Sequence, residues 1–278
     1  MRLLGLVLGT LLLGAACMTT CARSTPKWID DTMVDIPGGT FAMGSDAADA
    51  NANERPVHTV TLASFHLDRT EVTVQAYSEC VRLERCSEPD PYTAERGNYR
   101  IFCNWHHPEQ RGNHPINCVD FDQATAFCAW AGKRLPTEEE WEYAARAGAE
   151  GRKYPWGNDE PDPTRLNACG DACIKNLIAQ RFPGGKPLYS TSDGWPETAA
   201  VGSFPAGASK HGVVDLAGNV WEWTSSQFTT YDGRNSEPKR VLRGGSWGGG
   251  DAHTERTTNR FRLDPSSRAQ FLGFRCAK

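Results

Sequence analysis

The chain has 278 residues, a formal net charge of -4 at pH 7 and 23% charged residues with no basic block, a balance that excludes the electrostatic footprint of a nucleic-acid binder. No Pro/Ser-rich linker divides the chain after its first 30 or so residues, so it reads as one domain. With Gly 27, Pro 17 and Trp 9 beside few long periodic segments, composition points to a loop-rich fold whose core is built from aromatics.

Arg2, an apolar run from Leu3 to Leu13 and then Gly14-Ala15-Ala16-Cys17 have the layout of a secretory signal peptide. The run falls well short of the roughly 20 apolar residues that span a bilayer. A cysteine directly after small residues is similar to a bacterial lipoprotein cleavage site, with Cys17 as the lipidated first residue, although Gly14 stands where leucine is usual. Ordinary secretion with cleavage nearby is the alternative. Both routes predict export, either to the bacterial cell envelope as a lipoprotein held in the membrane only by its lipid, or as a secreted protein. Residues 1–17 therefore read as signal peptide, 18–32 as tether and 33–278 as the domain.

Met33 to Pro37 and Thr40 to Gly44 read as short strands around Gly38-Gly39, a two-residue hairpin signal. Asp46 to Pro56 lacks apolar periodicity and reads as an exposed loop, followed by strands at Val57 to Leu62 and Phe65 to Asp68. Thr73 caps a helix ending near Leu83, with Val72 and Tyr77 placed as a hydrophobic staple. Asp120 and Gln123 have capping-box spacing and open a second helix that carries Phe121, Ala124, Phe127, Cys128 and Ala131. Thr137 with Glu140 opens a third, expected to run about three turns to a stop at Gly148, with Glu142 and Arg146 paired at i,i+4. From Tyr154 to Ala208 almost every signal is a turn; a loop region this long needs something besides regular hydrogen bonding to hold it, bound metal being one answer.

Export makes disulfides the natural reading of the cysteines. Setting aside Cys17 and Cys21, Cys80 with Cys86, Cys103 with Cys118 and Cys169 with Cys173 are plausible local bridges, and Cys128 and Cys276 remain. Zinc is disfavoured, since neither CxxC nor HxxxH occurs.

Four stretches in register, WAGKRLPTEEEWEYAARAG (130–148), DLAGNVWEWTSS (215–226), RVLRGGSW (240–247) and GFRC (273–276), resemble the formylglycine-generating enzyme family, also called sulfatase-modifying factor domains. The resemblance covers Met33 to Cys276. It implies an α+β fold of the C-type-lectin-related kind, with short antiparallel strands and few helices, and it implies a Cys128–Cys276 disulfide. It also implies two calcium sites. One comprises the Asp215 side chain, the Gly218 and Val220 carbonyls and the Glu222 side chain; the other comprises the Asn167 side chain, the Ala168 carbonyl, the Asp193 side chain and the Trp195 carbonyl. Calcium accepts such mixed carboxylate and carbonyl oxygens in irregular loops; the competing reading is that Asp215 and Glu222 merely cap turns.

The family's oxidase chemistry uses two copper-binding cysteines about five positions apart shortly after the GGS segment, whereas here no cysteine occurs between Ser246 and Arg275. Copper and a catalytic residue are therefore not expected. Iron held by His106, His107 or His114 is explained more simply by loop polarity. Trp221 and Ser246 match positions lining the family's substrate groove, to which Trp223, Trp247, Arg243 and Arg256 could add surface for a peptide or small ligand. The expected function is an exported, calcium-stabilised binding or accessory module without formylglycine-generating activity. The alternative is an oxidoreductase of the formylglycine-generating or non-haem iron type with an unidentified metal site.

Overall fold

The computed structural model describes residues 33–89 and 99–278. The signal peptide, Cys17 and the tether lie outside the described residues. β1 (Met33–Ile36) and β2 (Gly39–Met43) are followed by β3 (His58–Leu62) and β4 (Phe65–Asp68). The expected Gly38-Gly39 hairpin does not form. β1 pairs with β4 and β2 with β3, and the pairs Met33↔Asp68, Ile36↔Phe65, Gly39↔Leu62 and Met43↔His58 keep a single register. The four strands are thus one long antiparallel ladder interrupted at Pro37, which has no N–H to donate. Gly38 sits against the opposite strand instead of turning, since a Cβ there would lie 2.6 Å from the Leu62 carbonyl oxygen.

The helical expectations hold where a cap defines them. In α1 (Val74–Arg82) the Thr73 side chain accepts from Ala76 N–H. A single turn, α2 (Pro108–Arg111), precedes α3 (Phe121–Trp130), whose Asp120/Gln123 capping box is complete. α4 (Glu138–Ala145) has its Thr137/Glu140 box and the Glu142–Arg146 ion pair at 2.8 Å. It runs eight residues instead of three turns, because the chain turns left-handed at Ala147, one residue before Gly148. The turn-rich region contains an unexpected helix, α5 (Asp171–Ala179), which begins between Cys169 and Cys173.

A four-stranded sheet of β5 (Trp221–Thr229), β6 (Ser236–Arg243), β7 (Phe261–Leu263) and β8 (Leu272–Gly273) has the order β7-β6-β5-β8. β5 pairs in parallel with β8, and the other pairs are antiparallel. Two apolar clusters flank it. Tyr77, Phe127, Trp223, Leu242 and Phe274 join α1 and α3 to the sheet, while Ile36, Met43, Leu67 and Trp141 join α4 to the long ladder. Trp141 and Trp223 are fully buried; truncating side chains of that size costs about 3–5 kcal/mol each. All four expected disulfides are present: Cys80–Cys86, Cys103–Cys118, Cys169–Cys173, and Cys128–Cys276 across a separation of 148 residues. The last ties α3 to the segment behind β8.

Candidate ligand cleft and oxygen nests

The chain leaves β6 through Gly244 and Gly245, both at positive φ, and this turn presents Ser246 beside the first residue of β5, Trp221. Together they line a cleft of about 630 Å³ whose walls include Phe182, Trp247, Phe261 and Phe271. That is the size and apolar character of a small-molecule or peptide-side-chain site. Trp247 is nearly buried and donates its indole N–H to the Gln270 carbonyl at 3.2 Å, leaving a ring face on the cleft. The other three candidate rim residues lie elsewhere. Trp223 is core, its N–H held by the Val119 carbonyl at 3.0 Å. Arg243 is fully buried in an ion pair with Glu142, and Arg256 is buried against Glu54 and Asp49.

Beneath the cleft floor lies Glu255, fully buried. Its Oε1 accepts from the Thr254 hydroxyl at 3.0 Å and its Oε2 has no hydrogen-bond partner. Burial pushes this carboxyl up to about 8, and the Thr254 hydroxyl and the Gly218 and Ser246 amides offset only part of that. Glycine is obligatory above it, since a Cβ on Gly245 would sit 2.1 Å from Oε2 and one on Gly249 would sit 2.4 Å from Oε1. Gly249 and Thr254, five positions apart, both face the cleft. Glu255 was not legible in the sequence: it stands alone in a segment without periodicity, and only the returning glycine loop gives it a role.

The two expected calcium loops meet, with Asn219 N–H donating to the Asn167 carbonyl at 2.9 Å. They differ in what occupies them. In the first, Glu222 is fully buried and both its oxygens are engaged: Arg275 Nε donates to Oε2 and Nη2 to Oε1, each at 2.7 Å, and the Trp141 indole donates to Oε2 at 2.9 Å. Arg275 Nη2 also donates to the Asp215 carbonyl at 3.1 Å, and the Asp215 carboxyl accepts from Gly202 N–H at 2.6 Å. A guanidinium already supplies the positive charge at Glu222. Beside Asp215 lies Glu71, buried, with neither carboxyl oxygen hydrogen-bonded; burial first, and then the Asp215 charge, hold it well above the usual carboxylate range. Gly218 and Val220 lie in the turn between Asp215 and Glu222, and the left-handed backbone at Asp215, Gly218 and Asn219 shapes that turn.

The second loop is gathered around Asp193. Its Oδ2 accepts from Asn167 Nδ2 at 3.0 Å, Ala168 N–H at 3.2 Å and the Tyr189 hydroxyl at 2.9 Å, while Oδ1 accepts from Trp195 N–H at 2.9 Å. Asn167 Oδ1 is buried with no partner. An all-oxygen set with one unsatisfied buried acceptor fits a hard cation, and it fits better here than at Glu222. Asn167, Ala168, Asp193 and Trp195 would hold such an ion, whose chemistry would be to pin these loops together. The histidines are scattered. His114 is buried against Trp195 with Nδ1 3.0 Å from the Thr198 hydroxyl, and burial pushes it down to about 4; His66 lies beside exposed Asp35 and His58 against Tyr231.

Residues 20–278 match the Sulfatase-modifying factor enzyme 1-like domain. The chain is 36% identical over 304 aligned residues to the inactive C-alpha-formylglycine-generating enzyme 2 of Bos taurus, covering 94% of each chain. It is 37% identical over 297 aligned residues to the formylglycine-generating enzyme of Streptomyces coelicolor, covering 88% of each. Among solved structures, PvdO from Pseudomonas aeruginosa superposes with a TM-score of 0.66 at 29% identity, covering 88% of this chain and 93% of that one. With four motifs in register, the α+β architecture and these relatives in agreement, the chain belongs to the sulfatase-modifying factor, or formylglycine-generating enzyme, family.

Proposed function

We propose that this protein is an exported binding or accessory module that takes a peptide or small ligand in the cleft between Trp221 and Ser246 and does not generate formylglycine. The observation that carries this reading is the cleft floor: Gly249 and Thr254 face the cavity, a buried carboxyl lies behind them, and the two cysteines packed against the floor, Cys169 and Cys173, are joined in a disulfide. Copper-dependent oxidation of a substrate cysteine needs soft sulfur ligands. The eight described cysteines are all disulfide-bonded, so none of them stands as a free thiolate ligand in this structure. The relatives carry both outcomes in their names, one inactive and one an enzyme, and the composition of the floor supports the first.

Calcium at Asn167, Ala168, Asp193 and Trp195 is proposed to stabilise the fold. The leader predicts attachment through a lipid on Cys17, which a palmitate label lost in Cys17→Ser checks. The deciding experiment is mass spectrometry of a cysteine-containing sulfatase-type peptide incubated with the protein, with and without Cu(I). We expect the peptide unchanged in both; a time-dependent formylglycine product that needs copper overturns the reading.

One observation favours the alternative oxidoreductase. Glu255, with its carboxyl pushed up to about 8, is a group able to exchange a proton at neutral pH. Stoichiometric copper or iron in the protein as purified would support that alternative.

A further inference from the structure

A second cavity, of about 250 Å³, shares no lining residue with the cleft. Its walls carry Ser45, Asp49, Arg146, Arg152, Lys153 and Arg256. Each cation has a carboxylate partner outside the cavity wall: Glu142 for Arg146, Glu150 for Arg152, Glu160 for Lys153 and Glu54 for Arg256. Asp49 is the one carboxylate on the wall; it is largely exposed and pairs with Arg256 Nη1 at 3.0 Å. Apart from that pair the compensating charge lies outside the wall, which leaves the cavity face cationic.

The guanidinium donors are only partly used. Arg146 spends Nη1 on Glu142 and on the Ala42 and Gly44 carbonyls, while its Nε is buried without a partner. Its Nη2 donates to no acceptor among the described residues and faces Gly151, where a Cβ would sit 3.5 Å away. Nε is sealed from the cavity, so Nη2 is the donor that Arg146 can offer a ligand there. Arg256 is taken up by Asp49 through Nη1 and by Glu54 through Nη2, each at 3.0 Å, and its Nε is sealed off, so it contributes charge and no free donor. Arg152 uses Nε on Glu150 and Nη1 on the Pro155 carbonyl, leaving Nη2 without an acceptor among the described residues. Arg146 and Arg152, six residues apart and joined by the Arg152 N–H to Arg146 carbonyl bond, thus each bring a spare Nη2 to one small space. A tetrahedral oxyanion can offer a different oxygen to each.

We infer that this cavity is a binding site for a tetrahedral oxyanion of the phosphate or sulfate class, free or as a monoester. An oxyanion supplies acceptors to both spare Nη2 groups at once, with the Arg256 charge beside it. Glycine at 151 keeps the entrance clear of a side chain.

The test is isothermal titration of the full chain with inorganic phosphate, sulfate and phenyl phosphate, against chloride at matched ionic strength. We expect one-to-one binding of inorganic phosphate, weakened tenfold or more in Arg152→Gln and in Arg146→Gln. Asp49→Asn, which removes the opposing charge, should tighten it several-fold. Phenyl phosphate binding alongside phosphate supports the site with esters admitted, and phosphate alone supports it with the free ion as occupant. No binding beyond the chloride control, or wild-type affinity retained in Arg152→Gln, overturns the proposal. Arg152 is partly exposed and outside the core, so its variant remains decisive if Arg146→Gln does not fold.

Discussion

Two glutamates share one property, complete burial, and differ in everything that follows. Glu222 lies in β5 under the bidentate grip of Arg275, with the Trp141 indole on the same carboxylate. Glu255 lies under the glycine loop after β6 with one hydroxyl and one unpartnered oxygen. The first is structural, its charge cancelled inside the protein. The second is held protonated by its surroundings and faces the floor of a cleft. Burial alone does not assign a role to a carboxyl; the partner does.

The largest effect should come from breaking the paired member. Arg275→Gln leaves Glu222 buried and uncompensated, which should cost about 3–5 kcal/mol in urea unfolding. The double variant Glu222→Gln/Arg275→Gln should recover much of the loss. Equal stability of the single and double variants would show that the pair is not the unit.

The unpaired member predicts an effect of opposite sign. The carboxyl ordinarily titrates near 4.5 and in the folded protein near 8, so between those pH values the folded state holds a proton the unfolded state has lost. Stability should therefore fall as pH rises through that window. Glu255→Gln should flatten this part of the profile and stabilise the protein by up to about 3 kcal/mol at pH 7. A profile unchanged by the substitution would mean that the carboxyl is not kept neutral.

The smallest effect separates the two oxygen nests. Calcium bound only by the folded state adds about 2.7 kcal/mol at a hundredfold excess over Kd. We expect the thermal midpoint to rise with calcium, to lose that response in Asp193→Asn and to keep it in Asp215→Asn. A chelator that leaves the midpoint unchanged, or an Asp193→Asn protein that responds like the wild type, rules out a cation at Asn167 and Asp193.

Local signals were readable wherever a short-range rule fixes the structure. The caps at Thr73, Asp120 and Thr137 and the three local disulfides fall where the sequence places them, and the Cys128–Cys276 bridge falls where the family resemblance implies it. The cleft residues Trp221 and Ser246 were found through word-for-word motifs, and the structure puts them on one cavity. What could not be read depends on distant partners. Gly38-Gly39 has the composition of a turn but is held straight by residues 62–64. Arg243 and Arg256 looked like surface because nothing nearby in the chain announces Glu142 or Glu54. That Glu222 is held by Arg275, 53 residues later, is announced by nothing near it in the chain.

The long ladder and the C-terminal segment carry a consequence for how the chain is made. Ala277 bridges to both Leu67 and Arg134, Cys276 N–H donates to the Asp68 carboxylate at 2.9 Å, and Arg275 reaches the Asp68 and Arg69 carbonyls. In a chain synthesised from its N-terminus, Arg275 emerges 207 residues after Asp68. Until then, Asp68 Oδ2 and Glu222 Oε1 lack the donors, Cys276 N–H and Arg275 Nη2, that satisfy them in the finished fold. The fold closes like a clasp, and its vulnerable period in biogenesis is the whole interval between the emergence of β4 and the arrival of residues 275–277.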